Sequence, residues 1–316
     1  MPALPEAWGG KRYYTVGEHY KRRFGRKVFK IALSVSQSCP NRQNDVGACV
    51  FCDEWGSAGI YVRPQLDLSA QMEQYKEGMK KRFKAQAFLA YFQPYTNTFA
   101  RTKELEAQIR LALADPEVLG VILGTRPDCL NQSLFDLLRD LQKETYVSVE
   151  LGVQSFDDAA LTFLNRGHDA AQAIRAIERL KTETQVEVGV HLILGLPEEK
   201  ETQVVAAAQR INQLQVDDVK LHNLHVLKNT PLEALYNQGQ FLPLELEDYA
   251  SSAVTFLEHL SPQVALGRLA AKATRAEELI APAWTAEKMR PIRVIEQLLE
   301  SRQTFQGRLC PEAPWN

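Results

Sequence analysis

The chain has 316 residues, enough for one large domain or two ordinary ones, and its 45% hydrophobic and 24% charged content is that of a globular protein, which excludes collagen-like and wholly disordered chains. With 37 Lys and Arg against 39 Asp and Glu the net charge is −2, so overall charge points to no polyanionic partner. No apolar run reaches the roughly 18 residues that a membrane-spanning helix needs and no signal-like hydrophobic region opens the chain, so no membrane association and a cytoplasmic location are expected.

The first predicted element is a basic N-terminal arm, residues 1–27. Between positions 11 and 30, Lys11, Arg12, Lys21, Arg22, Arg23, Arg26, Lys27 and Lys30 face Glu18 alone, with Tyr13, Tyr14, Tyr20 and Phe24 interleaved. Cations track phosphate and aromatic rings stack on unpaired bases, which makes the arm a candidate RNA-binding surface; a solvated charged terminus is the alternative.

From residue 28 strand-length apolar runs recur at 28–35, 87–92, 118–123, 147–153, 186–194 and 216–224. Segments of helical spacing separate them at 68–83, 102–114, 130–143, 157–164 with 169–182, and 199–213. Near-continuous apolar strands alternating with helices predict a buried parallel sheet with right-handed crossovers. Six units fall short of the eight of a closed barrel, so the expected fold is α/β, a partial (β/α)6 TIM-like barrel over 28–230 with its chemistry at the carboxyl ends of the strands. Residues 231–316, with helices expected at 246–260 and 285–301, form a helix-rich extension packed on that core.

Cys39, Cys49 and Cys52 follow the first strand as C-x9-C-x2-C. Three thiolates from one loop can hold three irons of a [4Fe–4S] cluster and leave the fourth open to a small molecule. Structural zinc wants a fourth Cys or His close by, and a redox C-x-x-C leaves the third cysteine unexplained; both remain alternatives on spacing alone. Glu150 sits among apolar neighbours on the fourth strand, where burial is costly without a partner. His222 and His225 close the sixth strand. Their spacing places them on opposite faces of an extended chain, so one is expected to line the cavity.

The stretch CPNRQNDVGACVFCDEWGSAG from Cys39, with GTRPDC (124–129), VELGVQS (149–155), LNRGH (164–168) and HLILGLP (191–197), resembles radical S-adenosylmethionine (SAM) enzymes of the YhcC/YtqA group, which is similar to the elongator-protein-3-type domain. The resemblance covers about residues 12 to 230. It implies Cys39, Cys49 and Cys52 as ligands of a [4Fe–4S] cluster whose open iron binds SAM, and reductive cleavage of SAM to methionine and a 5′-deoxyadenosyl radical, with a flavodoxin or ferredoxin as electron donor. It places Phe51 against the adenine, and Thr96, Asn97 and Thr98 where relatives carry a glycine-rich contact to the methionine amine. Gln154 and Arg166 fall at positions that bind SAM in coproporphyrinogen dehydrogenases, and His191 at a ribose-binding position. Cys129 stands where it could face the cavity as a hydrogen donor.

The elongator-type domain modifies the wobble uridine of tRNA, so the resemblance implies tRNA as partner. The extension is too short for an acetyltransferase domain, so the expected reaction is on a side chain already installed, such as carboxymethylaminomethyluridine to aminomethyluridine. A small metabolite or a peptide as substrate, and a non-catalytic iron–sulfur or zinc protein that binds RNA, are the alternatives.

Overall fold

The computed structural model describes residues 4–35, 39–43, 47–53 and 65–311; the EWGSAG end of the cysteine motif lies outside them. Seven parallel strands form one sheet in simple sequential order: β1 (Phe29–Leu33), β2 (Phe88–Phe92), β3 (Val118–Thr125), β4 (Tyr146–Gln154), β5 (Glu187–Leu194), β6 (Asp218–Asn223) and, after an excursion through a small sheet, β8 (Ala265–Arg268). The small sheet pairs β7 (Val226–Leu227) with β9 (Leu279–Ala281) antiparallel. Sequential parallel order with crossovers curls the sheet into a half-barrel, as the alternating pattern predicts.

The seventh strand is a finding beyond the six expected. At four residues, with Gly267 inside it, it carries too little apolar pattern to be read as a strand. Its backbone is completed from both sides, by β6 and by Leu266 N–H donating to Tyr14 O at 2.8 Å. The helix-rich extension therefore contributes a stretch of barrel wall as well as helices.

The helices that join the strands begin where the sequence provides a cap. Asp67 accepts from Ala70 N at the start of α3 (Leu68–Phe83), Asn131 from Leu134 N at α5 (Gln132–Leu141), and Asp169 with Gln172 forms a capping box at α7 (Ala170–Glu183). Between α3 and α5 runs α4 (Thr102–Leu113), and α6 (Asp158–Phe163), α8 (Glu201–Gln213), α9 (Pro231–Asn237), α10 (Leu246–His259) and α11 (Arg290–Ser301) complete the chain. Side chains alternate across each strand. On β2, Phe88, Ala90 and Phe92 join the large core between sheet and helices, while Leu89 and Tyr91 join a separate inner cluster.

The basic arm is folded onto the barrel. Thr15 caps α1 (Val16–Phe24), whose Tyr20 packs against Val28, Ala87 and Tyr146, at the amino ends of β1, β2 and β4. Tyr13, Tyr14 and Tyr20 are buried, which corrects their reading as base-stacking surface: an aromatic side chain gains roughly 2 kcal/mol by leaving water, and the open barrel end offers the place. Lys11 is paired with Glu296 at 2.5 Å, and Arg12 donates to Thr304 O at 3.3 Å. Lys21, Arg22, Arg23, Arg26 and Lys27 remain exposed.

Candidate functional site

One cavity opens at the carboxyl ends of the strands. Cys39, Cys49 and Cys52, all free thiols, line it together with Phe51, Thr96, Gln154, Arg166 and His191. The cysteine loop is held in place by the LNRGH segment. Val50 N donates to Leu164 O at 3.1 Å, Asn165 Nδ2 to Ala48 O at 3.0 Å, and Asn41 Nδ2, from the short helix α2 (Pro40–Gln43), to Asn165 O at 2.7 Å.

Donors already point at the sulfurs. Arg166 Nη1 lies 3.2 Å from Cys49 Sγ, Arg42 Nη2 is 3.2 Å from Cys52 Sγ, and Asn41 Nδ2 stands 3.4 Å from Cys49 Sγ. N–H groups aimed at sulfur stabilise thiolates and tune an iron–sulfur cluster, so this donor set fits one held by the three cysteines. Burial raises the Cys52 thiol while Arg42 pulls it down. Among the described residues no three Cys, His, Asp or Glu side chains converge as a metal-holding group, so the fit rests on the shared cavity and these donors.

Arg166 also donates to Gly152 O at 2.7 Å, and its buried Nε has no partner. A side chain at Gly152 would stand 2.9 Å from Gln154 Nε2 and 3.3 Å from Arg166 Nη2, so glycine there is what admits both. Gln154 ends β4 with φ of +70°, beside an irregularity in the β4–β5 register, and its side chain enters the cavity. An unsatisfied guanidinium N–H and a carboxamide beside the cysteines suit the carboxylate and amine of an amino acid such as the methionine part of SAM.

Two expected contacts lie elsewhere. Asn97 is fully buried, and its Nδ2 donates to Phe92 O at 2.8 Å, Gly124 O at 3.1 Å and Pro94 O at 3.3 Å, tying the ends of β2 and β3 together. It is a brace for the turn rather than part of the cavity lining, because three backbone carbonyls claim its amide. Thr98 likewise donates to Cys129 O at 2.6 Å. Cys129 does not line the cavity. Its thiol, pushed up to about 12 by burial and then by Asp128, stays protonated in the turn after β3.

Below the cysteines the barrel interior is charged. Glu150 is 1% exposed and accepts from Lys30 at 2.7 Å, from His191 Nε2 at 2.9 Å and from Lys220. Lys220 also reaches the Tyr91 hydroxyl at 3.0 Å. Burial alone would protonate Glu150, but the Lys220 and Lys30 ammonium groups hold it well below the usual carboxylate range. Burial pushes Lys220 down to about 8 against the pull of Glu150. His191 is driven to about 4 by burial and then by Lys220, so it is neutral at pH 7. Gly189 makes room for this group: a Cβ there would stand 2.6 Å from Asp218 Oδ2 and 3.0 Å from Glu150 Cγ.

His222 and His225 both line the cavity, which corrects the expectation that only one does; the strand ends at Asn223, and the chain turns before His225. Arg126, Lys220, Arg268 and Lys272 also line it and were not singled out by sequence reasoning. A charged residue inside an apolar strand, the signal that marks Glu150, also marks Lys220 in VDDVKLHNL; Arg268 and Lys272 give no comparable signal.

The Radical SAM superfamily profile matches residues 33–211 and the Radical_SAM C-terminal domain matches residues 216–301. The chain is 34% identical over 300 residues to the uncharacterized protein YtqA of Bacillus subtilis, covering 94% of this chain and 92% of that protein. It is 35% identical over 271 residues to protein YhcC of Escherichia coli K12, covering 85% and 86%. A tRNA uridine(34) acetyltransferase of Methanocaldococcus jannaschii is 26% identical over 162 residues, which are 50% of this chain and 29% of that protein. Among solved structures, the archaeal Elp3 of Methanocaldococcus infernus superposes with a TM-score of 0.69 at 17% identity, covering 88% of this chain and 64% of that one, a likeness in fold. No helix among the described residues is long and apolar enough to cross a membrane. Matched over more than half its length and closely related to YtqA and YhcC, the chain belongs to the Radical SAM superfamily, and its cofactors are the [4Fe–4S] cluster and SAM of that family.

Proposed function

We propose that the protein is an enzyme that modifies the side chain of a wobble uridine in tRNA, converting a group such as carboxymethylaminomethyl to aminomethyl. The observation that carries the catalytic part is a single cavity with three cysteines at its rim and a set of ionised and neutral polar groups on its floor. Held by Cys39, Cys49 and Cys52, the cluster would supply the electron for cleavage of SAM to methionine and a 5′-deoxyadenosyl radical. SAM would be the overall oxidant: the methylene beside the side-chain amine loses a hydrogen atom and one further electron, and water then cleaves its carbon–nitrogen bond, releasing the two-carbon acid as glyoxylate and leaving the aminomethyl group.

The chain's own groups then have defined tasks. Arg166 and Gln154 orient the methionine part of SAM, Thr96 offers its hydroxyl, and Phe51 packs on the adenine. Arg42 and Arg166 point N–H groups at the sulfurs of Cys52 and Cys49. Glu150 fixes His191 Nε2, and the neutral imidazole presents its other nitrogen to the cavity. Lys220, with a proton affinity near neutrality, can give or take a proton from a substrate amine.

Support for tRNA comes from the likeness, over half of the chain, to a protein named as acting on uridine 34, and from the exposed cations of α1. Those cations sit at the amino ends of the strands, the end away from the cavity, so phosphate held there must belong to a partner large enough to reach round the barrel.

The test is anaerobic reconstitution with iron and sulfide, reduction with dithionite, and assay of 5′-deoxyadenosine beside a Cys39→Ala, Cys49→Ala, Cys52→Ala variant. The wild type alone should form it, and undermodified tRNA incubated with the wild type should lose carboxymethylaminomethyluridine by nucleoside analysis. Deoxyadenosine without any change in tRNA would redirect the search to small metabolites or peptides; none from a fully loaded wild type would sink the catalytic reading.

A further inference from the structure

The charges of the chamber do not balance. Asp53 and Glu150 are the buried acids that line it, with Asp218 buried close by, and Arg275, Lys30 and Lys220 stand against them. Arg268 and Lys272 line the same cavity from solvent-exposed positions, and neither has an ion-pair or hydrogen-bond partner among the described residues. Arg268 lies beside Lys220 in the β6–β8 register, partway up the barrel wall.

A third group is incomplete in the same place. His222 Nε2 is buried with no hydrogen-bond partner, and the ring is stacked on His191 at 5.2 Å. Arg268 is the charge that, after burial itself, does most to keep this imidazole neutral, so guanidinium and ring are neighbours. A buried nitrogen without a partner costs free energy unless a ligand completes it.

We infer that Arg268, Lys272 and His222 form a subsite for a carboxylate of the substrate, on the β6–β8 wall at the opposite edge of the sheet from the strand that leads into the cysteine loop. A planar guanidinium matches a carboxylate with two parallel N–H donors, an ammonium adds charge, and the neutral ring adds one N–H when its proton is on Nε2. A backbone phosphodiester has chain on both sides and meets the exposed Arg268 and Lys272 without reaching the buried His222 Nε2, whereas an acid at the tip of a side chain reaches all three. The subsite rests on the reading that substrate shares this cavity with SAM, and it selects, among uridine side chains, those that end in an acid.

The experiment is equilibrium binding to the anaerobically reconstituted holoenzyme with SAM present. The probes are 5-carboxymethylaminomethyluridine and its carboxamide, and N-methylglycine and its carboxamide. The wild type should prefer the acid of at least one pair by about tenfold or more, the size of one charge-assisted hydrogen bond. Arg268→Gln should abolish the preference by weakening the acid alone, and Arg268→Lys should retain part of it. Preference within the N-methylglycine pair only, still dependent on Arg268, leaves the subsite standing and removes the uridine reading. Equal affinity for acid and carboxamide in the wild type, or a preference that survives both Arg268→Gln and Lys272→Gln, overturns the inference.

Discussion

Glu150 stays ionised in the barrel because two ammonium groups and an imidazole N–H compensate for the water it has lost. Breaking such a group from one side is costly, since the partners are left as buried charges. Glu150→Gln should therefore destabilise the cofactor-free protein by about 3 to 5 kcal/mol, read as a lower urea midpoint. Adding Lys220→Met should recover part of that loss, and a single variant within about 0.5 kcal/mol of wild type would show the network to be energetically idle. Asn97 makes the opposite point. It was expected at the SAM methionine, yet its amide serves the carbonyls of Phe92, Pro94 and Gly124. Asn97→Ala should cost about 1 to 3 kcal/mol of stability in urea titration, by removing the amide that joins those carbonyls. The residue type and position were legible; whether the amide faced ligand or backbone depended on how far β2 and β3 approach each other.

At the scale of elements, α1 shows why a charge pattern is ambiguous. Its cations and aromatics lie on one short helix, and the helix separates them, rings inward against Val28 and Tyr146 and cations outward. If tRNA is the partner, Arg22→Glu with Arg23→Glu and Arg26→Glu should weaken tRNA binding at least about tenfold at low salt and flatten its salt dependence, measured by filter binding. Lys11→Ala should have little effect, because that ammonium is already paired with Glu296. Unchanged tRNA affinity in the triple variant would remove α1 from the interface. β8 is the complementary case. Four residues with a central glycine offer no periodicity, and Gly267 is needed because a Cβ there would meet Lys220 Cγ at 2.8 Å. The strand exists because β6 and the segment at Tyr14 supply partners for its backbone, and neither is near it in sequence.

For the whole molecule, four histidines, His168 buried and the other three half-buried, are held in the neutral form. His168, His191 and His225 are held at about 4 and His222 is held well below its ordinary value, in each case chiefly by burial. Between the ordinary value of 6.5 and about 4 the unfolded chain binds protons that the folded one does not, so each loses stability as pH falls through that window. His19, raised by Glu187 despite burial, acts the other way, as do Asp218 and Glu199, which burial lifts to about 6 and about 7. Four groups outweigh three, so the melting temperature of cofactor-free protein should fall from pH 7 to pH 5 in calorimetry, and His191→Gln with His222→Gln should flatten the fall. A melting temperature that rises on acidification would contradict the burial of these rings. The spacing of three cysteines and the succession of apolar strands with capped helices are local, so the cysteine loop, six of the seven strands and the family could be read from the sequence. Which side chains share the cavity was decided only by tertiary structure. Closure of the sheet brings Glu150, Lys220, His222 and Arg268 from three strands to one chamber, turns Asn97 away from it, and buries Tyr20 of α1 at the other end. Burial and charge compensation act between residues far apart in sequence, and no local pattern carries them.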